Sequence, residues 1–291
     1  MTAIRVPARA TATIALASFI GFVAFLWPFV VAPGTFGSTE TPPLMFGALL
    51  LLVLAVVFAE IADGRIDAKA LAMLGVLSAI NAALRPLGAG TAGIETVFFV
   101  LVLAGRVYGP GFGFALGCTS LFTSALLTGG VGPWMPYQMF GCAWVGMFAG
   151  LLPAARGRAE IGLLAGYAAI AGYGFGFMLN LSFWPFSLDP GSSIAYQPGL
   201  PVLEQFQRYL VFFSVTSLGW DTGRAVTTAV LVVVTGPAVL AAFRRAARRA
   251  NFQATATFTS PASAQAGPAD DGNALGSLRP GSPLAGHQHR P

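Results

Sequence analysis

Residues 131–155 read VGPWMPYQMFGCAWVGMFAGLLPAA, and this stretch decides the fold. It is apolar over a length that crosses the hydrocarbon core of a bilayer as one helix. It opens with a Pro-Trp-Met-Pro turn followed by the polar Gln138, which predicts an aromatic, partly polar mouth at one membrane face. Gly146 and Gly150 lie one helical turn apart. Their spacing predicts that a neighbouring helix approaches closely along this face.

The composition of the whole chain agrees with a membrane protein. Its 291 residues are 55% hydrophobic and 9% charged, whereas soluble domains have about 25% charged residues. Several apolar runs predict an all-α, polytopic transmembrane bundle of about eight spans, expected at 12–32, 44–63, 68–86, 94–108, 110–129, 136–155, 161–186 and 222–243. Residues 206–218 are apolar but short, and they form either a re-entrant or interfacial helix or an early part of the last span.

The distribution of basic residues predicts the orientation. With eight spans both termini lie on one side, and that side holds most of the basic residues: Arg5, Arg9, Arg65, Lys69, Arg106, Arg156, Arg158, Arg244, Arg245, Arg248 and Arg249. The other side holds only Arg85, Arg208 and Arg224. Because basic loops stay inside, we expect a multi-pass protein of the cell (plasma) membrane with both termini cytoplasmic.

Three regions are expected along the chain. Residues 1–67 form an N-terminal two-span extension, residues 68–249 form the membrane core, and residues 250–291, rich in Pro, Ala, Gly and Ser, form a disordered cytoplasmic tail. The motifs GxxxxGK[ST], HExxH and GxSxG do not occur in the sequence. We therefore expect no enzyme activity, no cofactor and no metal site, and we interpret Cys118 and Cys142 as small packing residues.

Polar and aromatic side chains gather at the predicted outer ends of the spans. The candidate substrate-binding residues are Arg85, Glu95, Trp134, Gln138, Asn180, Trp184, Asp221 and Arg224. Two ion pairs are predicted, Arg85 with Glu95 and Asp221 with Arg224. Either the two charges of each pair neutralise each other and lock the bundle, or the pairs line a solute pocket. The tryptophans form either an interfacial aromatic belt or a stacking wall for a ring.

The third span presents two sets of small residues at a spacing of four. They are Ala68 and Ala72, and Gly75, Ala79 and Ala83. Such a face lets helices approach backbone to backbone. It serves either packing within the bundle or docking of a separate membrane subunit.

Four blocks of the sequence together resemble a known family. They are GVLSAINAALRPLGAG at 75–90, GIETVFFVLVLAGRVYGPGFGFALG at 93–117, GGVGPWMPYQMFG at 129–141 and SLGWDTGRAVTTAVLVVV at 217–234. Over residues 68–245 the chain resembles the substrate-specific (S) component of energy-coupling factor (ECF) vitamin transporters. The resemblance implies a six-helix core that captures a vitamin or metal ion at the outer face. It also implies a transmembrane coupling subunit, contacted by the small residues of the third span, and two cytoplasmic ATPases.

The chain departs from that family in two respects. It carries two additional N-terminal spans and a tail, and it lacks the His-bearing N-terminus of the nickel and cobalt members. The expected function is the substrate-binding membrane subunit of an ECF-type ABC importer for a vitamin-like organic solute, and the aromatic mouth suits a corrinoid. The alternative is a self-sufficient secondary transporter or channel, although no internal repeat and no acid near mid-span is evident. A membrane enzyme is the third class considered, and the missing catalytic motifs disfavour it.

Overall fold

All regular elements in the described part of the chain are helices. The structure, a computed structural model, describes residues 8–30, 47–52, 54–55, 58, 68–88, 91, 93–189 and 191–250. The longer helices are α1 (Ala8–Phe25), α3 (Ala68–Leu84), α4 (Val97–Tyr108), α5 (Pro110–Thr128), α6 (Met135–Leu151), α7 (Gly157–Phe183), α8 (Val202–Thr216) and α9 (Leu218–Ala250), and α2 (Trp27–Val30) is one turn. Residues 47–52, 54–55 and 58 are also helical. The predicted all-α class is confirmed for these residues, and the predicted tail beyond residue 250 lies outside them.

The number of membrane spans is only partly established. Among the described helices, four segments are long and apolar enough to cross a bilayer: Ala68–Leu87, Pro110–Thr128, Gly157–Phe186 and Leu218–Arg249. Thr11–Phe25 and Val97–Tyr108 are apolar but shorter, and most of the predicted span 44–63 lies outside the described residues. Long apolar helices of this kind are compatible with a membrane-embedded protein. The ambiguous stretch at 206–218 belongs mainly to a separate helix, α8, which ends before Ser217.

The turn between α4 and α5 is a single glycine. Gly109 has a φ of 98°, a conformation that only glycine adopts readily, and Pro110 begins α5 at once. Proline is favoured in the first helical turn because the N–H that it lacks would have no partner within the helix. This short connection brings α4 and α5 together as neighbours.

The centre of the bundle is a glycine-lined contact of α4, α5 and α6. A Cβ added at Gly105 or at Gly113 would collide with the backbone of Gly146. A Cβ at Gly150 would lie 2.6 Å from the backbone nitrogen of Pro110. The predicted close approach along Gly146 and Gly150 is therefore confirmed, and the helices meet backbone to backbone.

One end of the bundle, here called the basic end, is closed by a triad of charges, of which Glu160 and Arg106 are buried and Arg244 is partly exposed. Glu160 Oε1 accepts hydrogen bonds from Arg106 Nε at 2.8 Å and from Arg244 Nη2 at 2.6 Å. Arg106 Nη1 also donates to the backbone oxygen of Leu152 at 2.9 Å. The triad joins the last turn of α4, the first turn of α7 and the later part of α9. The opposite ends of these three helices therefore face the other end of the bundle.

The length of α9 fixes the distance between the two ends. Arg244 lies twenty residues beyond Arg224 in this helix, which corresponds to about 30 Å at the helical rise. The hydrocarbon core of a bilayer has about the same thickness. The distance from Arg224 to Arg244 is therefore about equal to the distance between the two surfaces of the hydrocarbon core.

The first helix packs directly on the core. Phe25 of α1 contacts the rings of Tyr137 and Trp144 at centroid distances of 5.1 and 5.2 Å. The indole nitrogen of Trp27 donates to the backbone oxygen of Ser182 at 2.9 Å. These contacts bring the C-terminal end of α1 to the C-terminal end of α7, at the end opposite the basic end.

Candidate functional site

The described residues form a cavity at the end opposite the basic end, here called the cavity end. The cavity has a volume of about 440 Å³. It lies where the C-terminal part of α7 meets the C-terminal part of α8 and the first turns of α9, and its lining residues are Phe175, Gly176, Leu179, Asn180, Ser187, Leu188, Phe212, Thr216, Ser217, Trp220, Asp221 and Arg224. Half of these residues are polar or charged, so the lining is more polar than the mostly apolar pockets that usually hold small molecules.

The charged groups of this cavity are an ion pair within the first turns of α9. Arg224 Nη1 donates to Asp221 Oδ1, which confirms the predicted pair. Asp221 is only 2% exposed. Among the described residues, neither Asp221 Oδ2 nor Arg224 Nε has a hydrogen-bond partner. Each half of the pair therefore retains one free hydrogen-bonding atom, although buried polar groups are normally satisfied.

Two aromatic rings hold the guanidinium of Arg224. Its central carbon lies 5.7 Å from the ring centroid of Phe98 and 5.2 Å from that of Phe175. Both distances are within the range of cation–π attraction. The two rings also contact each other edge to face at 4.8 Å. The position of Arg224 at the cavity is thus fixed by α4 and α7 as well as by Asp221.

A glycine on α7 makes room for the carboxylate. A Cβ added at Gly176 would overlap the carboxylate group of Asp221. One turn earlier, a Cβ at Gly172 would lie 3.3 Å from the backbone of Ala225. These two glycines let α9 pack closely on α7, and this close packing buries Asp221.

Helix α8 forms one wall of the cavity, and an aromatic cluster supports it. The hydroxyl of Tyr209 donates to the backbone oxygen of Phe177 on α7. Trp184 is fully buried against Tyr209 and Phe212, and its indole nitrogen donates to the backbone oxygen of Ile194 at 2.9 Å. This cluster attaches α8 and the preceding loop to the end of α7.

A second polar group lies near the start of α4. Arg85 donates to Gln138 Oε1 at 3.2 Å and to Ser124 Oγ at 3.4 Å. Glu95 makes no ion pair within 4.0 Å among the described residues, so the structure does not form the predicted pair of Arg85 and Glu95. The Arg85 side chain reaches α5 and α6 instead, since it extends from the end of α3 next to both helices.

Glu95 is nevertheless in the electrostatic field of both arginines. It lies in the non-helical segment 94–96, outside the candidate spans. Burial raises the pKa of its carboxyl above the usual range, while the positive charges of Arg224 and Arg85 partly offset that rise. Glu95 Oε1 has no hydrogen-bond partner in the described part of the chain.

The predicted substrate-binding residues thus fall into three groups. Asn180, Asp221 and Arg224 line the cavity. Arg85, Glu95 and Gln138 belong to the second polar group. Trp134 is 45% exposed and Trp184 is buried in the aromatic cluster, and neither lines the cavity.

The predicted small-residue face of α3 is exposed. All five of its members, Ala68, Ala72, Gly75, Ala79 and Ala83, lie on the outside of the bundle. No described atom lies within 4 Å of a Cβ built at Gly75. The face therefore does not serve packing against the described helices.

Sequence reasoning missed several positions that shape the two ends of the bundle. Gly172 and Gly176 have the same spacing as Gly146 and Gly150, and that signal would have predicted the close contact of α7 with α9. Glu160 lies between predicted spans near basic residues, and only the folded bundle shows that it is buried. The cavity-lining residues of α8 carried no comparable signal, because the sequence pattern did not separate that helix from the last span.

The chain matches no protein-family model, no curated protein and no solved structure.

Proposed function

We propose that the chain is a substrate-binding membrane subunit of an importer. In this proposal it captures a vitamin-like organic solute in the cavity and delivers it through a separate, ATP-driven coupling module of the ECF type. The observation that carries the proposal is the cavity of about 440 Å³ with the ion pair of Asp221 and Arg224 in its wall. Each partner of this pair keeps one buried atom without a hydrogen bond, as expected of groups that a ligand satisfies.

The exposed face of α3 supports the proposed coupling to another subunit. Its five small residues are on the outside of the bundle, and the position of Gly75 is open. Small residues on a membrane-facing surface allow a second helix to pack at close range. A transmembrane coupling subunit, working with two cytoplasmic ATPases, is the proposed occupant.

The positively charged end gives the proposed orientation. Arg106 and Arg244 meet at the basic end through Glu160, and Arg156 and Arg158 flank the start of the same helix, α7. By the positive-inside rule this end faces the cytoplasm. The cavity then opens toward the outside of the cell membrane, where an importer meets its solute.

Ligand binding tests the cavity. Binding of a panel of vitamins to the detergent-purified full chain is measured by isothermal titration calorimetry, and again for Asn180→Ala. Removal of a hydrogen-bond partner of the ligand costs about 1–3 kcal/mol, so affinity falls roughly 5- to 150-fold. Gln207→Ala, an exposed residue of α8, is the control and retains wild-type affinity. A well-folded Asn180→Ala protein with unchanged affinity refutes the site.

Uptake measurements test the coupling. Ala79→Leu adds bulk to the small-residue face, so we expect lost uptake with ligand binding retained. Val76→Leu, at an exposed position that already carries a branched side chain, is the matched control and retains both. Co-purification of two ATPases and a coupling subunit with the wild-type chain supports the proposal. Uptake by the purified chain alone in proteoliposomes contradicts it and favours a secondary transporter.

A further inference from the structure

We infer that the cavity takes a small zwitterion, a molecule of zero net charge that carries one cationic group, one anionic group and an aromatic body. This inference rests on the proposed function, because it names the class of solute that the same cavity captures. It follows from three properties of the lining: the balance of its charges, the free atoms of those charges, and its apolar walls.

The first property is the charge balance. The cavity lining contains one acidic residue, Asp221, and one basic residue, Arg224. Glu95, which interacts electrostatically with Arg224, also interacts with Arg85, and these two further charges are of opposite sign. A ligand with a net charge would therefore leave one charge uncompensated beside the buried carboxylate of Asp221, which is costly. A zwitterion leaves none, and neither does an uncharged molecule, so the charge balance excludes only ligands with a net charge.

The second property is the pattern of free atoms. Asp221 Oδ1 is occupied by Arg224 Nη1, while Asp221 Oδ2 and Arg224 Nε are unpartnered among the described residues. A carboxylate oxygen accepts from an ammonium group, and a guanidinium N–H donates to a carboxylate. Both atoms are buried in the structure, so a zwitterion engages the two halves of the pair once these side chains turn toward the cavity.

The third property is the apolar part of the lining, which lies beside the uncharged polar residues Asn180, Ser187, Thr216 and Ser217. Phe175, Leu179 and Phe212 supply apolar wall, and Trp220 is 50% exposed beside them. Aromatic side chains stack on rings of a bound molecule. The volume of about 440 Å³ lies at the small end of the range of about 300–1,000 Å³ for drug-sized ligands. It suits a ring of amino-acid size rather than a corrinoid macrocycle.

Three probes with the same ring separate the possible charge preferences. L-tryptophan is a zwitterion, tryptamine carries only the cation, and indole-3-propionate carries only the anion. Each is titrated into the detergent-purified full chain by isothermal titration calorimetry. Loss of one charge-assisted hydrogen bond makes tryptamine and indole-3-propionate bind roughly 10- to 150-fold more weakly than L-tryptophan. Equal or tighter binding of either singly charged probe overturns the inference, as does failure of L-tryptophan to bind.

Two variants test whether the ion pair sets this preference. Asp221→Asn removes the acid, so indole-3-propionate should become the tightest of the three probes. Arg224→Gln removes the base, so tryptamine should become the tightest. Gln207→Ala lies outside the cavity, and this variant should bind the three probes in the same order of affinity as the wild type. Thermal unfolding confirms that each variant is folded. If a folded variant keeps the wild-type order, the ion pair does not read the charge and the inference is wrong.

The outcomes distinguish this inference from the proposed function. Binding of a vitamin or of a singly charged probe, without preference for the zwitterion, refutes the inference and leaves the solute-binding function standing. Absence of binding by all solutes, together with absence of co-purifying ATPases, refutes both.

Discussion

A single added methyl group on α7 tests the packing that builds the cavity. Gly176→Ala places a Cβ inside the contact distance of the Asp221 carboxylate. Asp221 must then turn away from Arg224, or α9 must move away from α7. Gly174→Ala is the matched control, because Gly174 is exposed on the same helix and no described atom lies within 4 Å of its Cβ position.

The magnitude follows from comparing the two variants. Replacing glycine by alanine in a helix stabilises the folded protein by roughly 0.5–1 kcal/mol in both cases. Overpacking in a well-packed region costs about 1–3 kcal/mol, and only Gly176→Ala incurs that cost. Because the helix-propensity gain is common to both variants, the difference in their free energies of unfolding is the steric cost of about 1–3 kcal/mol. Each kcal/mol lost from the free energy of unfolding lowers the melting temperature by about 2–4 °C in a domain of about 150–250 residues.

Two buried thiols provide the assay. Cys118 and Cys142 are free and buried in the core, so a thiol-reactive fluorophore reports the temperature at which the bundle opens. We expect Gly176→Ala to melt below wild type and Gly174→Ala to melt at or above it. Equal melting temperatures for the two variants would show that Gly176 does not contact the carboxylate, and the described packing of Asp221 against α7 would be wrong.

Three further predictions use other parts of the bundle. In the same assay Gly146→Ala should melt at a lower temperature than Gly162→Ala. The added Cβ at Gly146 meets backbone that cannot rotate away, whereas the added Cβ at Gly162 meets no described atom within 4 Å. Glu160→Gln leaves the buried charge of Arg106 without its acid and should cost about 3–5 kcal/mol, whereas Arg158→Ala at an exposed position should cost little. Similar melting temperatures for the two variants would contradict the triad's role. With Cys118 and Cys142 replaced by Ala, a membrane-impermeant reagent should label Ser193→Cys but not Arg158→Cys in intact cells, and the reverse pattern would invert the proposed orientation.

Much of the fold could be predicted because helices in an apolar environment are specified locally. The run at 136–155 predicted α6, and the spacing of Gly146 and Gly150 predicted its close contacts. Every backbone polar group in such a segment must be satisfied within the segment, so a long apolar run can only be a helix. The boundary between α8 and α9 was not predictable in this way, since 206–218 is mostly apolar apart from residues such as Gln207 and Arg208, and the turn at Ser217 has no proline.

The candidate site was predictable only in part. Asn180, Asp221 and Arg224 were selected because polar side chains stand out near the ends of apolar runs, and they line the cavity. Trp184 was selected on the same grounds, yet it is buried beneath α8. Position along the chain shows that a residue is near a helix end, but it does not show which way the side chain points.

The sequence by itself determined the helical class, the ion pair of Asp221 and Arg224 and the glycine contacts of α6. The helical class and the ion pair depend on residues within one or two turns of a helix, where spacing alone fixes which side chains are neighbours. For the glycines of α6 the spacing indicates a close contact, and only the structure identifies α4 and α5 as its partners. Only the tertiary structure decided that Arg85 bonds to Gln138 rather than to Glu95, and that Arg106 and Arg244 share Glu160. These contacts join different helices, and their partners depend on how the helices rotate and slide as their surfaces pack.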